Sequence, residues 1–410
     1  MIEWFGYNLH KFYARMSTFI KKNSCIKKEG KIMEKKLFNA FNYAIETGNI
    51  QMFDLLAKDF NKFEEEDKNL LLEQTVIFSP NTEFIQHVMD YGFSLDYKNK
   101  MDLTLLHLAA MSSYPETVKF FIQKGLDIEA KEVDGGTPVF IAAEMSDNIE
   151  VLKTLIDAGA DINIVNKNGE TLLIAAAGRN PNLEFTKFLL KLGFDTETRD
   201  DEGFTALLNA AFWQSNIDVI DELIKVGANI NAKTKNGDNL FHLAAFNPSS
   251  EVVRYISTEF FTSDVNNNGE SCIEKALKKA DNPQIVNVYL SKMKQEHVFY
   301  ACFNSNPKIL EALIQSGYDI NTTNCYGTTA LMFAAKVNSN PLIVKMLLFH
   351  SAIWDNHDDE GRNILHYAAA NAKPDIYDYL LEDEMYSKLS QEKDLKGKLP
   401  EYYRAKPDEF

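Results

Sequence analysis

The chain has 410 residues, 45% of them hydrophobic and 25% charged, with a net charge of −16. Such an acidic body argues against direct binding of a nucleic-acid backbone, which needs clustered cations, and no apolar run approaches membrane-spanning length. The four cysteines (Cys25, Cys272, Cys302, Cys325) show neither Cys-x-x-Cys pairs nor zinc-type spacing, which fits free thiols in a reducing cytoplasm.

Residues 1–36 stand apart from the rest. Nine Lys or Arg against three acids give this segment +6 and leave −22 on the remainder. Phe5, Leu9, Phe12, Met16 and Phe19 fall on one helical stripe, with Lys11, Arg15, Lys21 and Lys22 elsewhere on the wheel. A basic amphipathic extension of this kind is expected to cap the first folded unit or to lie on an anionic membrane, so that membrane contact is confined to residues 1–32. Charges interrupt its apolar core, which excludes a secretory signal. In a bacterial source, Lys28-Glu29-Gly30 is encodable by a ribosome-binding stretch just upstream of Met33. A further expectation is therefore that translation begins at Met33.

From residue 37 onward the chain repeats itself. Residues 37–66 contain a helix-turn-helix core around Asn42–Asn49, and residues 67–100 carry Thr75-Val76 where later units have an Ala pair. Clear units follow at 101–134, 135–168, 169–202, 203–236 and 237–268. Their glycines, from Gly135 through Gly169, Gly203 and Gly237 to Gly269, recur at intervals of 34, 34, 34 and 32 residues, and Gly327 and Gly361 resume the period. A unit this small cannot bury its own apolar face and must stack on its neighbours.

Within one unit, Thr137 is placed to cap a helix and Pro138 suits its first position. Ala142 and Ala143 are small enough to let a neighbouring helix approach. Ile149, Leu152, Leu155 and Ile156 share one face of a second helix. Gly159 supplies a left-handed terminator, and Asn168-Gly169 signals a tight hairpin.

The pattern breaks once. Residues 269–295 keep the glycine but lose the segment leading to the next hairpin; residues 296–326 keep the helices but have no hairpin before them. The gap near Ser291–His297 is either a shortened connection in a continuous stack or a hinge between stacks at 37–295 and 296–394. Units resume at 327–360 and 361–394, and residues 395–410 turn polar, as a terminal cap requires.

Thr137-Pro138, Leu106-His107-Leu108-Ala109-Ala110, Gly159-Ala160-Asp161-Ile162-Asn163, Gly227-Ala228-Asn229-Ile230-Asn231 and Leu365-His366-Tyr367-Ala368-Ala369 resemble the ankyrin repeat family. Tetratricopeptide repeats share the 34-residue period, but their Trp-x-x-Leu-Gly-x-x-Tyr signature is absent. The resemblance implies an all-α fold: an ankyrin-repeat solenoid of about eleven helix-turn-helix units with projecting β-hairpin loops. The extra residue relative to the usual 33 falls between the two helices, as at Met145–Asn148.

No catalytic motif is present, neither a metalloprotease His pair, a nucleophile elbow nor a phosphate-binding loop. The expectation is no enzyme activity, no cofactor and no metal. His107, His242 and His366 share one repeat position, and the resemblance implies that this His ties adjacent loops together. Asp200-Asp201-Glu202 and Asp358-Asp359-Glu360 lack the order of a calcium loop and are expected to be solvated tips.

The resemblance also implies that a protein partner lies on the concave face made by hairpin tips and first helices. Its helix positions here are Met111 and Ser112, Glu144 and Met145, Gly178 and Arg179, Phe212 and Trp213, Phe246 and Asn247. Phe204, Phe212, Trp213 and Phe246 are expected to neighbour one another, rimmed by Asp201, Glu202 and Asp238, with Phe212 the most buried ring and Trp213 the most exposed. Aromatic anchors inside a polar rim have the composition of an interface hot spot; the same rings folded between helices would be core instead. The sequence thus points to a cytoplasmic, monomeric interaction scaffold whose acidic body would steer a basic partner. A secreted effector acting on a host protein, or a peripheral membrane adaptor anchored by residues 1–32, would carry the same array.

Overall fold

The computed structural model describes residues 35–410; the Phe5–Phe19 stripe and the Met33 start lie outside the described residues. Short helices follow one another in pairs. They are Lys35–Thr47 with Ile50–Leu56, Glu65–Phe78 with Thr82–Met89, Leu105–Ala110 with Pro115–Gln123, and Pro138–Met145 with Ile149–Asp157. Leu172–Arg179 with Leu183–Lys191, Ala206–Trp213 with Ile217–Lys225, Leu240–Ala244 with Ser250–Glu259, and Cys272–Lys279 with Gln284–Tyr289 continue the series. His297–Ala301 with Pro307–Gln315, Ala330–Val337 with Pro341–Phe349, and Ile364–Ala369 with Asp375–Glu382 complete it, ahead of a last helix at Pro400–Ala405. Among the described residues no helix is long and apolar enough to cross a membrane.

Local chemistry sets the helix boundaries. Thr104, Thr171, Thr205 and Thr329 each accept a hydrogen bond from the amide three residues on, which satisfies an otherwise orphaned donor. Second helices open on Asn148, Asn182, Asn216, Asn306 and Asn340, each accepting from the amide two residues on. Thr137 departs from its expected role. It sits at the cap position before Pro138, but its hydroxyl makes no capping bond; the proline's fixed φ starts that helix instead.

The structure divides into two compact units. The first comprises residues 35–133, Thr137–Ala142 and Ser146–Ala160. Its core at the start of the array is aromatic: Phe53 meets Phe41, Phe84 and Tyr91 edge-on, with ring centroids 5.2, 5.5 and 5.6 Å apart. Thr75, standing where later repeats have Ala, is buried without penalty because its hydroxyl donates to the Leu71 carbonyl at 2.7 Å.

The second unit comprises Asp134–Gly136, Ala143–Met145 and Asp161–Phe410. Here the hairpins are reduced to a turn closed by one or two main-chain bonds: the amides of Asn166, Asp200, Thr234, Asn266, Asn324, Asp358 and Asp394 each donate to the carbonyl four residues on. Strand pairing goes no further than isolated bridges, as at Lys233↔Asn239 and Thr323↔Thr329. Successive tips are linked by a further bond, such as Asp201 N to Asn168 O at 2.9 Å and Lys235 N to Glu202 O at 2.9 Å. This link explains the periodic glycine. Gly203 has φ of +84°, and a Cβ there would lie 2.9 Å from Lys235 N, so both the backbone conformation and the next tip exclude a side chain.

Opposite the tips, the turn between the two helices builds a second link. The amides of Gln214, Asn247, Asn304, Asn338 and Asn371 are turned inward, and each donates to two carbonyls of the preceding turn; Gln214, for example, binds Ala177 O and Asn180 O at 3.0 and 2.9 Å. The turn exposes carbonyls that a helix no longer satisfies, and a side-chain amide from the next repeat satisfies them.

This ladder runs through the place where the hairpin is missing. Asn304, in the hairpinless repeat, donates to Leu277 O and Ala280 O at 3.0 and 2.9 Å. Lys294 N donates to His297 Nδ1 at 2.6 Å, as Asn239 N and Asn363 N do to His242 and His366. Gln295 reaches forward, its Nε2 donating to Asp319 O at 2.7 Å. The expected boundary at 295 lies inside the second compact unit.

Candidate functional site

The hairpin at 200–204 and the helix that follows it position the candidate anchors. Asp200 Oδ1 accepts from the amides of Glu202 and Phe204 at 2.9 and 2.8 Å, which folds the tip and starts the arm carrying Phe204. Thr205 then caps Ala206–Trp213, so that Phe212 and Trp213 close its last turn. Phe246 follows in the next repeat, just beyond the Leu240–Ala244 helix.

The structure brings these rings together. Phe212 is the centre: Phe204 lies edge-on at 6.2 Å, Trp213 edge-on at 4.6 Å and Phe246 tilted at 6.0 Å. All four are half-buried, so the expected contrast between a buried Phe212 and an exposed Trp213 does not appear. Each ring is partly covered by its neighbours, Phe204 and Trp213 meeting Phe212 edge-on and Phe246 meeting it tilted. Asp201 and Glu202 are exposed beside the cluster.

Other candidates are placed differently. Asp238 is 2% exposed and so does not form a rim; it pairs with Lys275 and accepts from Asn266 Nδ2 at 2.9 Å. Asn247 and Ser112, assigned to the solvent side, are buried in the inter-helix turns. Met145 is half-buried. Arg179 has only 11% of its side chain exposed and is held between Glu144 and Glu170, whose side chains are 1% and 8% exposed. Its contact with Glu170 is bidentate, at 2.8 and 2.9 Å. The guanidinium holds Glu170 below the ordinary glutamate range despite burial, which by itself pushes the pKa up.

Sequence reasoning missed the cations beside the cluster. Lys275 Nζ lies 5.5 Å from the centre of Phe246, and Lys278 pairs with Glu270 at 2.8 Å while sitting 5.1 and 5.2 Å from Tyr300 and Phe303. The signal was present, since Lys275 and Lys278 are three apart on Cys272–Lys279 and therefore share a face. Without a view of the neighbouring repeat, nothing distinguished them from solvated lysines.

Among the described residues no group of three His, Cys, Asp or Glu side chains is arranged to hold a metal ion. Burial pushes the thiols of Cys272 and Cys302 up to about 12, which leaves them protonated and unreactive. His242 Nε2 lies 2.8 Å from Glu270 O and His366 Nε2 3.1 Å from Lys398 O, the loop-tying geometry that the resemblance implied.

Asp200 carries a pH dependence. Burial, with the Glu170 and Glu202 charges, raises its carboxyl to about 6, although the two amides pull it down. A carboxyl with a folded pKa above its unfolded value opposes folding once ionised, so this cost appears as pH rises from about 4 to 6. Asn166, Asn266 and Asn324 fill the same position in other repeats and accept from the same two amides. Asp200→Asn is therefore expected to stabilise the protein by about 1 kcal/mol at pH 7, a figure reduced for partial solvent screening. The gain should vanish near pH 4 in parallel urea titrations.

The family model for ankyrin repeats (3 copies) matches residues 72–166, 139–234 and 298–391. No curated protein matches the chain.

Proposed function

The chain belongs to the ankyrin repeat family, whose repeats generally mediate protein–protein interaction, and we propose that it is a non-enzymatic, cytoplasmic, monomeric scaffold that binds a protein partner through the Phe204–Phe246 face. The observation that carries this reading is the four-ring cluster centred on Phe212. It offers apolar edges to solvent on the face where hairpin tips meet first helices. Half-buried aromatic rings already ordered by their neighbours lose little side-chain entropy on binding, which is the physical basis of hot spots. The exposed Asp201 and Glu202 beside the rings, together with the net charge of −16, favour a partner with a basic surface.

Affinity purification with the whole chain as bait, followed by titration of the captured protein, tests the proposal. Trp213→Ala should weaken that complex by about 2 kcal/mol, roughly thirtyfold, because an anchor at the edge of the cluster is lost. The melting temperature should shift little. A large drop in melting temperature with affinity unchanged would assign the indole to the core and remove the cluster from the interface.

A further inference from the structure

A second aromatic assembly lies farther along the second unit, around Phe410. Its ring centre is 4.7 Å from Tyr367 and 5.3 Å from Tyr403, both edge-on. The Arg362 guanidinium lies 4.4 Å from the same centre and Lys336 Nζ 3.9 Å. Two tyrosines and two cations thus form a socket with one phenylalanine inside it.

Phe410 contributes one bond to the socket walls, its main-chain oxygen accepting from Arg362 Nη1 at 3.0 Å, and the rest of their support comes from elsewhere. Arg362 Nε and the Tyr367 hydroxyl both donate to Asp358 Oδ2 at 2.7 Å, and the Tyr403 hydroxyl donates to Asp394. Apart from the Arg362 bond, the segment delivering the ring is held only at the surface, by Tyr402 and Lys406 on Glu409. Residues 404–409 are exposed, and Pro407–Glu409 forms one 3-10 turn tied by surface contacts such as Lys406–Glu409 at 2.8 Å. Contacts of that kind contribute little in water.

Lys336 supplies the second observation. Arg362 has Asp358 and Glu360, but among the described residues no carboxylate pairs with the Lys336 ammonium, which lies over the Phe410 ring. Burial and the Arg362 charge hold its pKa below the ordinary lysine value. An ammonium in this setting gains from an anion brought to it.

We propose that this socket is a peptide-recognition subsite for an aromatic side chain flanked by carboxylates, and that Asp408-Glu409-Phe410 is a resident occupant which a partner's acidic aromatic segment displaces. The occupant's ring shows the chemistry that fits, an aromatic between cations; its Glu409 pairs with Lys406, so Lys336 remains for a partner's carboxylate. The binding surface extends along the first helices. Phe333 lies one turn before Lys336 and meets Phe303 at 5.1 Å; Phe303 is 42% exposed and follows the first helix of the hairpinless repeat at 296–326. The proposal stands whether or not the Phe204–Phe246 cluster binds protein.

The test uses the whole chain and a fluorescein-labelled peptide copying residues 405–410, capped at both ends. Removing the resident ring removes the competition, so Phe410→Ala should bind the peptide about tenfold more tightly than the unaltered chain. Adding Lys336→Glu should abolish that gain, and a peptide with Phe replaced by Ala should not bind. Equal binding by Phe410→Ala and the unaltered chain, no binding to either, or indifference to Lys336→Glu or to the peptide's ring each overturns the proposal. A fluorine label on the Phe410 ring of the otherwise unaltered chain covers the case in which Phe410→Ala unfolds. Saturating peptide should move its resonance to the solvent value, and an unmoved resonance refutes displacement.

Discussion

Arg179→Gln should be among the most damaging single substitutions in this protein, at about 3–5 kcal/mol of stability. The guanidinium pairs with both Glu144 and Glu170, each almost wholly shielded from water. Glutamine retains an amide donor but no charge, leaving two carboxylates facing each other in a low-dielectric pocket. The pH dependence separates this mechanism from simple loss of packing. In the unaltered protein Glu170 is held below its usual range, so its contribution is present above the unfolded value and disappears as pH falls through the folded one. In Arg179→Gln the burial effect wins and the folded pKa rises above the unfolded value, so the penalty is full at neutral pH and relieved on acidification. Urea titrations at pH 7 and near pH 4 should therefore show the difference between variant and parent narrowing. A gap independent of pH would mean that the arginine acts through packing alone.

The second large effect is expected at a residue with no charge. Asn247→Leu should cost about 3–4 kcal/mol, because three hydrogen bonds vanish inside a dry turn. Asn247 Nδ2 donates to Ala211 O and Gln214 O, each at 2.9 Å, and its Oδ1 accepts from Ser249 N at 2.8 Å. Leucine is similar in size but leaves two carbonyls and one amide without partners. Asn247→Gln is the control, since Gln214 fills the same position one repeat earlier and makes the same kind of double donation. The loss falls on the interface between neighbouring repeats, which is where a stacked array couples its units. The urea transition of Asn247→Leu should accordingly broaden as well as move, whereas that of Asn247→Gln should stay close to the parent. Equal damage from both would indicate that volume rather than hydrogen bonding matters at this turn.

Two residues show where sequence reasoning reached its limit. Asn247 was assigned to the partner-facing side because it follows the first helix at the position the family uses for contacts. It is instead buried against carbonyls of the preceding turn, Ala211 O and Gln214 O. Asp238 follows the hairpin glycine just as Phe204 does, so spacing alone gave both the same exposure. Lys275, 37 residues later, reaches Asp238 and draws it inside. The rings at Phe204, Phe212, Trp213 and Phe246 were legible as neighbours, because one repeat length separates Phe212 from Phe246 and the other two flank the helix that carries Phe212. Their half-burial was not, since it depends on the angles at which the rings meet.

The sequence by itself determined the period, the helix caps and the glycine turns, because these depend on contacts within a few residues and recur in nearly every unit. Gly203 illustrates the overlap of the two levels: its positive φ is a local requirement visible from the turn, whereas the close approach of Lys235 N belongs to the next repeat. Only the tertiary structure decided which polar side chains are spent inside the stack and which remain for a partner. Asn247, Asp238 and Arg179 find their partners in neighbouring hairpins, helices and turns, and a polar group's cost or gain on burial is set by that partner rather than by its own place in the repeat.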